Sequence, residues 1–293
     1  MVEHPMHPDL ELILPAGDEL GEGPIWDVDA QRLYWVDIDG KRYHTYDPAT
    51  AAHAVVAVGE LLGALALTRS GRLLLATDYG FSFFDPTNRS LTPIGHPEAD
   101  RPGNRFNDGA VDRAGRFWSG TLGETRDNHL YRLDPGGSIK RMDSGIAISN
   151  GIAWSRDDRV MYFVDSLPAV IYAYDFDLAS GEIANRRVFV DHAGRRGLPD
   201  GLIVDAEGFV WTALWDGYGL ERYDPDGRLE RTLALPVQYP TSLAFGGPDL
   251  TELYITSALC EIPHAERAAA APAGGLFRIR GAGRGLPEPR FAD

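Results

Sequence analysis

Six short segments of this 293-residue chain open alike, with one variable residue, then glycine or a small residue, then an apolar run. The variable residues are Glu22, Leu62, Asp108, Asn150, Asp200 and Thr241. Three carboxylates and an amide oxygen at equivalent places form a ligand set suited to a hard divalent cation, and without a cation the carboxylates would repel one another. Asp or Asn before Gly is also ordinary turn chemistry, which accounts for any single case. Glu22 is not a turn residue, however, and four oxygen-bearing side chains in six equivalent positions point to a shared site. With a bound cation such a site can polarise a carbonyl, activate a water and stabilise an oxyanion. A carboxylate such as Asp200 can take the water proton, and Arg105 offers a planar fork of donors to carbonyl or hydroxyl oxygens.

Other chemistries lack their residues. No G-x-S-x-G elbow is present and the single cysteine, Cys260, has no histidine signature near it, so a covalent acyl intermediate is not expected. The eight histidines show no H-E-x-x-H spacing. No glycine-rich phosphate loop follows a strand and opens a helix. A lone cysteine also excludes an internal disulfide.

The elements that must position these side chains follow from the repeat. From Glu22 to Leu62, Asp108, Asn150, Asp200 and Thr241 the steps are 40, 46, 42, 50 and 41 residues, the spacing of propeller blades. After each opening comes a turn and a second strand rich in β-branched and aromatic residues, such as RLYWVD after Gln31 and FVWTAL after Gly208. Third strands close at Asp47-Pro48, Asp85-Pro86, Asp134-Pro135 and Asp224-Pro225, with Tyr174-Asp175 in that slot of the fourth unit. Only Ile262 to Ala271 reads as briefly helical. The last unit lacks an outer strand and Leu10–Leu14 lacks a blade, so the expected fold is all-β: residues 1–293 as one six-bladed β-propeller, with the N-terminal strand closing the last blade. A pair of β-sandwiches would explain neither the even spacing nor the orphan strand. In a propeller the first strand of each blade lines the central channel, so the six openings converge on its mouth.

Gly21-Glu22-Gly23-Pro24, Arg105-Phe106-Asn107-Asp108-Gly109, Ser149-Asn150-Gly151 and Pro199-Asp200-Gly201 resemble the motifs of the SMP-30/gluconolactonase (regucalcin-like) family, in order and over nearly the whole chain. The resemblance implies a sugar lactonase with one divalent metal, calcium, zinc, manganese, magnesium or ferrous iron, held by Glu22, Asn150 and Asp200. It implies that Arg105 and Asn107 hold substrate hydroxyls and that Asp200 is the proton acceptor. Asp108 stands beside the ligands as the next candidate base. Similar proteins often carry two acidic residues after the Gly-Thr of this strand; here the run is Gly120-Thr121-Leu122-Gly123-Glu124-Thr125, so Glu124 matches the first acidic place, as a substrate contact, and Thr125 departs from the second. Trp26, Trp215, Tyr218 and Tyr239 are candidate walls for a sugar face, against the commoner role of such aromatics in the core. The alternatives are a non-catalytic propeller that binds a ligand, or a hydrolase of another lactone or ester.

Composition narrows the partners. A net charge of −15, from 43 acidic against 28 basic residues, disfavours nucleic acid and anionic membrane surfaces, and the family resemblance implies a small sugar lactone as the partner. Hydrophobic residues at 44% and charged residues at 24% are ordinary for a globular protein, expected as a monomer or small homo-oligomer. The first seventeen residues include acidic residues and prolines but no apolar run behind positive charge, so export is not expected and a cytoplasmic location is.

Overall fold

A computed structural model describes residues 6–293; the first five residues, part of the stretch on which the expectation about export rests, lie outside the described residues. Six four-stranded antiparallel sheets form the blades of a β-propeller, and no helix occurs among the described residues. The innermost strands are Gly21–Asp27, Leu62–Leu67, Arg105–Val111, Ser149–Trp154, Leu198–Val204 and Pro240–Gly246. Each touches the innermost strands before and after it, and blade 6 returns to blade 1. The six expected openings therefore all fall at the start of an innermost strand.

The period of the sequence is the period of the core. Six apolar clusters lie between neighbouring blades, each built from both facing sheets. Trp118 and Phe163 pack between blades 3 and 4, for example, and Trp211 and Leu253 between blades 5 and 6. Blades with two apolar faces can bury both only by stacking in a closed ring, which also removes free sheet edges from the inner circle.

Closure is made twice. Leu10–Leu14 pairs with Leu276–Arg280 as the outer strand of blade 6, with Leu10 opposite Ile279, as the orphan strand required. Residues 281–293 then cross the face opposite the openings. The Gly285 amide donates to Leu250 O, the Ala206 amide to Arg284 O, the Phe291 amide to Leu67 O and the Ala292 amide to Gly115 O, so turns of blades 6, 5, 2 and 3 are tied together. Arg290 adds blade 1 through Asp27 and Asp29. This strap floors the channel.

Two expectations are corrected. The Tyr174-Asp175 pair does not end the third strand of blade 4, which runs Val170–Asp177. No proline follows Asp175 to stop the ladder, and Asp177 caps the turn instead by accepting the Ala179 amide at 3.0 Å and the Ser180 hydroxyl at 2.7 Å. The stretch Ile262 to Ala271 is a series of turns and not a helix. Its amides bond mostly three residues back, as Glu266 to Pro263 O and Ala269 to Glu266 O, and a segment this short before Pro272 does not offset the cost of helix nucleation.

Candidate functional site

The openings are not turns. In all six innermost strands the register with the second strand slips at the same place: Glu22/Ile25, Leu62/Ala64, Phe106/Gly109, Ser149/Ile152, Pro199/Leu202 and Pro240/Leu243. A β-bulge re-aims the side chains it carries and sharpens the local twist. The variable residues sit in these bulges; Gly63, Gly109, Gly151 and Gly201 after them are explained by crowding around the axis, and Gly23 by its φ of 51°. A Cβ on Gly151 would lie 2.4 Å from the Leu202 amide nitrogen, and one on Gly63 would lie 2.3 Å from Phe106 O.

A chain of hydrogen bonds links three blades across the mouth. Arg105 donates to Asn107 Oδ1 at 2.6 Å, and Asn107 donates to Asn150 Oδ1 and to Ser149 O, each at 2.8 Å. Asn150 donates through Nδ2 to Ser166 Oγ at 2.8 Å, and Ser166 donates to Pro199 O, beside Asp200, at 2.6 Å. With its amide nitrogen committed to Ser166, Asn150 has its oxygen fixed in place, and that oxygen retains a second lone pair.

The acidic residues are less well served. Glu22 is buried and accepts the Gly23 amide at 3.0 Å; Asp108 accepts the Gly109 amide at 2.7 Å. Asp200 is buried, and its Oδ1 has no hydrogen-bond partner. Burial pushes the Glu22 carboxyl well above the usual carboxylate range, with the charges of Asp200 and Asp108 adding and the Gly23 amide and Arg105 opposing. Burial raises Asp200 likewise, with Asp108 adding and Arg105 opposing. Asp108 is raised by burial to about 6. Arg105 is lowered by burial, against the charges of Asp39, Glu22 and Asp78. Three carboxylates thus crowd one guanidinium, and each is pressed to hold a proton.

Below Asp108 the channel encloses a cavity of about 110 Å³, lined largely by apolar side chains of the innermost strands and closed by the strap. Arg113 and Glu288 face it near the floor. Glu288 lines the void with its side chain exposed to it, and desolvation within the channel raises its carboxyl despite Arg113.

The structure brings Glu22, Asp108, Asp200, Arg105, Asn107 and Asn150 to one mouth, and Leu62 contributes no polar atom there. Glu124 lies exposed in the turn after Leu122, the residue that pairs with Arg105, at the same end of the ring. Trp26 is misplaced as a sugar wall: it is 2% exposed and stacks on Tyr254 at 5.8 Å between blades 1 and 6. Trp215 and Tyr239 do pair, at 4.7 Å, on the rim beside blades 5 and 6. Ser166, Asp39 and Asp78 were missed. All three lie in connections after a second strand, so that repeated register was the signal that could have found them.

A second polar cluster joins Asp18, Asp37 and His44, whose ligand-type atoms lie within 4.8 Å of one another. Asp37 accepts the Leu20 and Gly40 amides and Arg42, and Arg42 also stands 3.6 Å from Asp18 Oδ1. The guanidinium holds the place a cation would take. Burial raises Asp18 to about 7 and lowers His44 to about 3, and Asp18 Oδ1 lies 3.2 Å from His44 Nε2.

Comparison with known proteins bears on the whole chain. Residues 20–259 match the family described as SMP-30/Gluconolactonase/LRE-like region. The chain is 35% identical to regucalcin from Xenopus laevis over 293 residues, covering 97% of this chain and 98% of that protein. It is 37% identical over 278 residues to pentonolactonase XacC from Haloferax volcanii, with 92% and 94% covered. The crystal structure of a calcium-binding protein, regucalcin, from Agrobacterium tumefaciens superposes with a TM-score of 0.91 at 31% identity, covering 96% of each chain. On this match, which spans five blades and the two inner strands of the sixth and includes every residue of the mouth, the chain belongs to the SMP-30/gluconolactonase family.

Proposed function

We propose that this protein hydrolyses a sugar lactone at the channel mouth, with a divalent cation held by Glu22, Asn150 and Asp200. The observation that carries the reading is the unpartnered Oδ1 of buried Asp200 among two further carboxylates. The donor set fits a cation: two carboxylates and an amide oxygen are hard ligands, and their crowding is relieved by positive charge. Relatives named as lactonases and a relative titled calcium-binding support the same assignment.

A bound cation supplies Lewis-acid polarisation of the lactone carbonyl and stabilises the developing oxyanion. Asp200 takes the proton of the attacking water. As the ring C–O bond breaks, that proton is available to the departing ring oxygen, and the product is the open-chain acid. Arg105 and Asn107 orient the substrate by hydrogen bonds to its hydroxyls. Asn107 also fixes Asn150, so binding and ligation are mechanically linked.

The test is hydrolysis of a panel of aldonolactones by metal-stripped protein, with calcium, zinc, manganese, magnesium and ferrous iron added back separately. Activity restored by at least one cation on at least one aldonolactone is expected. Full activity without any cation would sink the metal assignment, and inactivity on every lactone under all conditions would sink the lactonase reading.

A further inference from the structure

Five of the six connections between a second and a third strand are short: 38–41, 78–79, 123–127, 166–169 and 216–218. In blade 6 the corresponding connection is residues 258–275, eighteen residues on the same face as the mouth. A loop of this length without secondary structure in a compact fold commonly carries function. It is anchored, with Ile262 and Ala273 buried against Leu235 and Val237 of the connection from blade 5 to blade 6. Between the two connections lies an open groove of about 610 Å³.

The groove adjoins the mouth. Its inner wall is Tyr239, whose carbonyl accepts the Ala258 amide at 3.0 Å and whose ring packs on Trp215. Cys260, at the start of the long loop, donates its amide to Glu19 O at 2.9 Å, three residues before Glu22 of the mouth. The opposite wall is Tyr218, an aromatic residue held at φ 58°. Bulky side chains rarely adopt that conformation, so its ring is set by the turn. Arg196 lies over the ring at 4.5 Å, and the hydroxyl donates to Gln238 Oε1 at 3.3 Å. Gln238, Glu261 and Glu266 add hydrogen-bonding groups to the lining, and Ala and Pro residues of the loop supply apolar surface.

Rigid aromatic rings with a few amide and carboxylate groups suit a pyranose, whose C–H faces pack on rings while its hydroxyls take polar partners. A volume in the range of small-ligand sites exceeds what a single lactone ring at the mouth requires. We infer that the groove is a second sugar subsite, so that the substrate class includes lactones of aldobionic acids, in which an aldonolactone carries a glycosyl group. This rests on the lactonase reading of the mouth.

The experiment compares kcat/KM for cellobiono-1,5-lactone and glucono-1,5-lactone, with the activating cation present, in the native protein and in Ala269→Trp. Ala269 is an exposed groove residue outside the mouth, and its indole would fill the second subsite. The native protein is expected to hydrolyse the disaccharide lactone at least as efficiently as the monosaccharide lactone. Ala269→Trp is expected to lower the former tenfold or more and to leave the latter within twofold. Tyr218→Ala should lower the ratio of the two in the same direction. A disaccharide lactone hydrolysed tenfold more slowly than gluconolactone by the native protein overturns the subsite, as does an unchanged ratio in both variants. If neither lactone is hydrolysed, the lactonase reading itself fails and takes the subsite with it.

Discussion

The two ends of the innermost strands carry the same residue type in opposite conditions. At the lower end of blade 5, Asp205 accepts the Glu207 and Phe209 amides through Oδ1, and the Trp211 indole and Arg222 through Oδ2. At the lower end of blade 3, Asp112 repeats the pattern with the Ala114 and Arg116 amides, the Arg116 side chain and the Trp118 indole. At the upper ends of the same strands Asp200 leaves an oxygen unpartnered and Asp108 has one amide. All four are acidic, and Asp200 is as buried as Asp205 and Asp112, so burial alone does not separate framework from site. The supply of donors does: a carboxylate saturated by its own blade holds the fold, and one left short waits for a ligand or a proton.

Breaking the lower end should show in stability and hardly in chemistry. Asp205→Ala leaves the Trp211 N–H without an acceptor and the Arg222 guanidinium, 4% exposed, with only Glu207 and Glu230, and is expected to cost about 1–3 kcal/mol in denaturant unfolding. Turnover per folded molecule should stay near normal; a stable variant with lost turnover would erase the distinction between the two ends.

Asp200→Asn should do the reverse. Turnover is expected to fall on the order of a hundredfold or more, the usual size of a general-base contribution, with metal retained by elemental analysis and little change in unfolding. Near-normal turnover with metal bound would transfer the base role, with Asp108 next in line.

The upper end also fixes a pH dependence. Because Asp108 is raised to about 6 in the folded state, against an ordinary carboxylate near 4, the native protein binds more protons than the unfolded chain between those values. Its contribution is complete below about pH 4 and is lost as pH rises through 6. Metal-free protein should therefore lose stability from about pH 4 to pH 7, and Asp108→Asn should flatten that slope in urea titrations at several pH values. A slope unchanged by the substitution would place the titration elsewhere.

Smaller effects belong to the substrate contacts. Arg105→Ala is expected to raise KM roughly tenfold, about the value of one charged hydrogen bond, with metal content unchanged. Glu124→Gln, at an exposed turn, should shift kcat/KM by no more than about threefold. A larger loss would draw Glu124 into the substrate's first contacts.

What was legible in the sequence was what repeats. Blade number, the six openings and the orphan strand Leu10–Leu14 all follow from one period, because each blade solves the same burial problem with the same residues in register. The site residues were found through that register, and their cation-attracting crowding of carboxylates is visible in residue type alone. What did not repeat stayed hidden. The long loop of blade 6 folds as turns against blade 5, and the place of Trp26 was not legible because strand alternation does not say which end of a strand faces the mouth. The strap of residues 281–293 has no period, and its partners are backbone groups of distant turns.

That strap and the outer strand of blade 6 set an order of events in biosynthesis. Glu11 is paired with Arg278, 267 residues away, and the strap ties turns of five blades only when residues 282–293 are in place. During translation the first five blades emerge as an open stack with apolar faces at both ends, and closing the circle waits for the final segment. Contacts of such long sequence separation form slowly and late. A nascent chain stalled before residue 276 would carry nearly every residue of the mouth on a scaffold that is still an arc, exposed to chaperones and to pairing with a second arc.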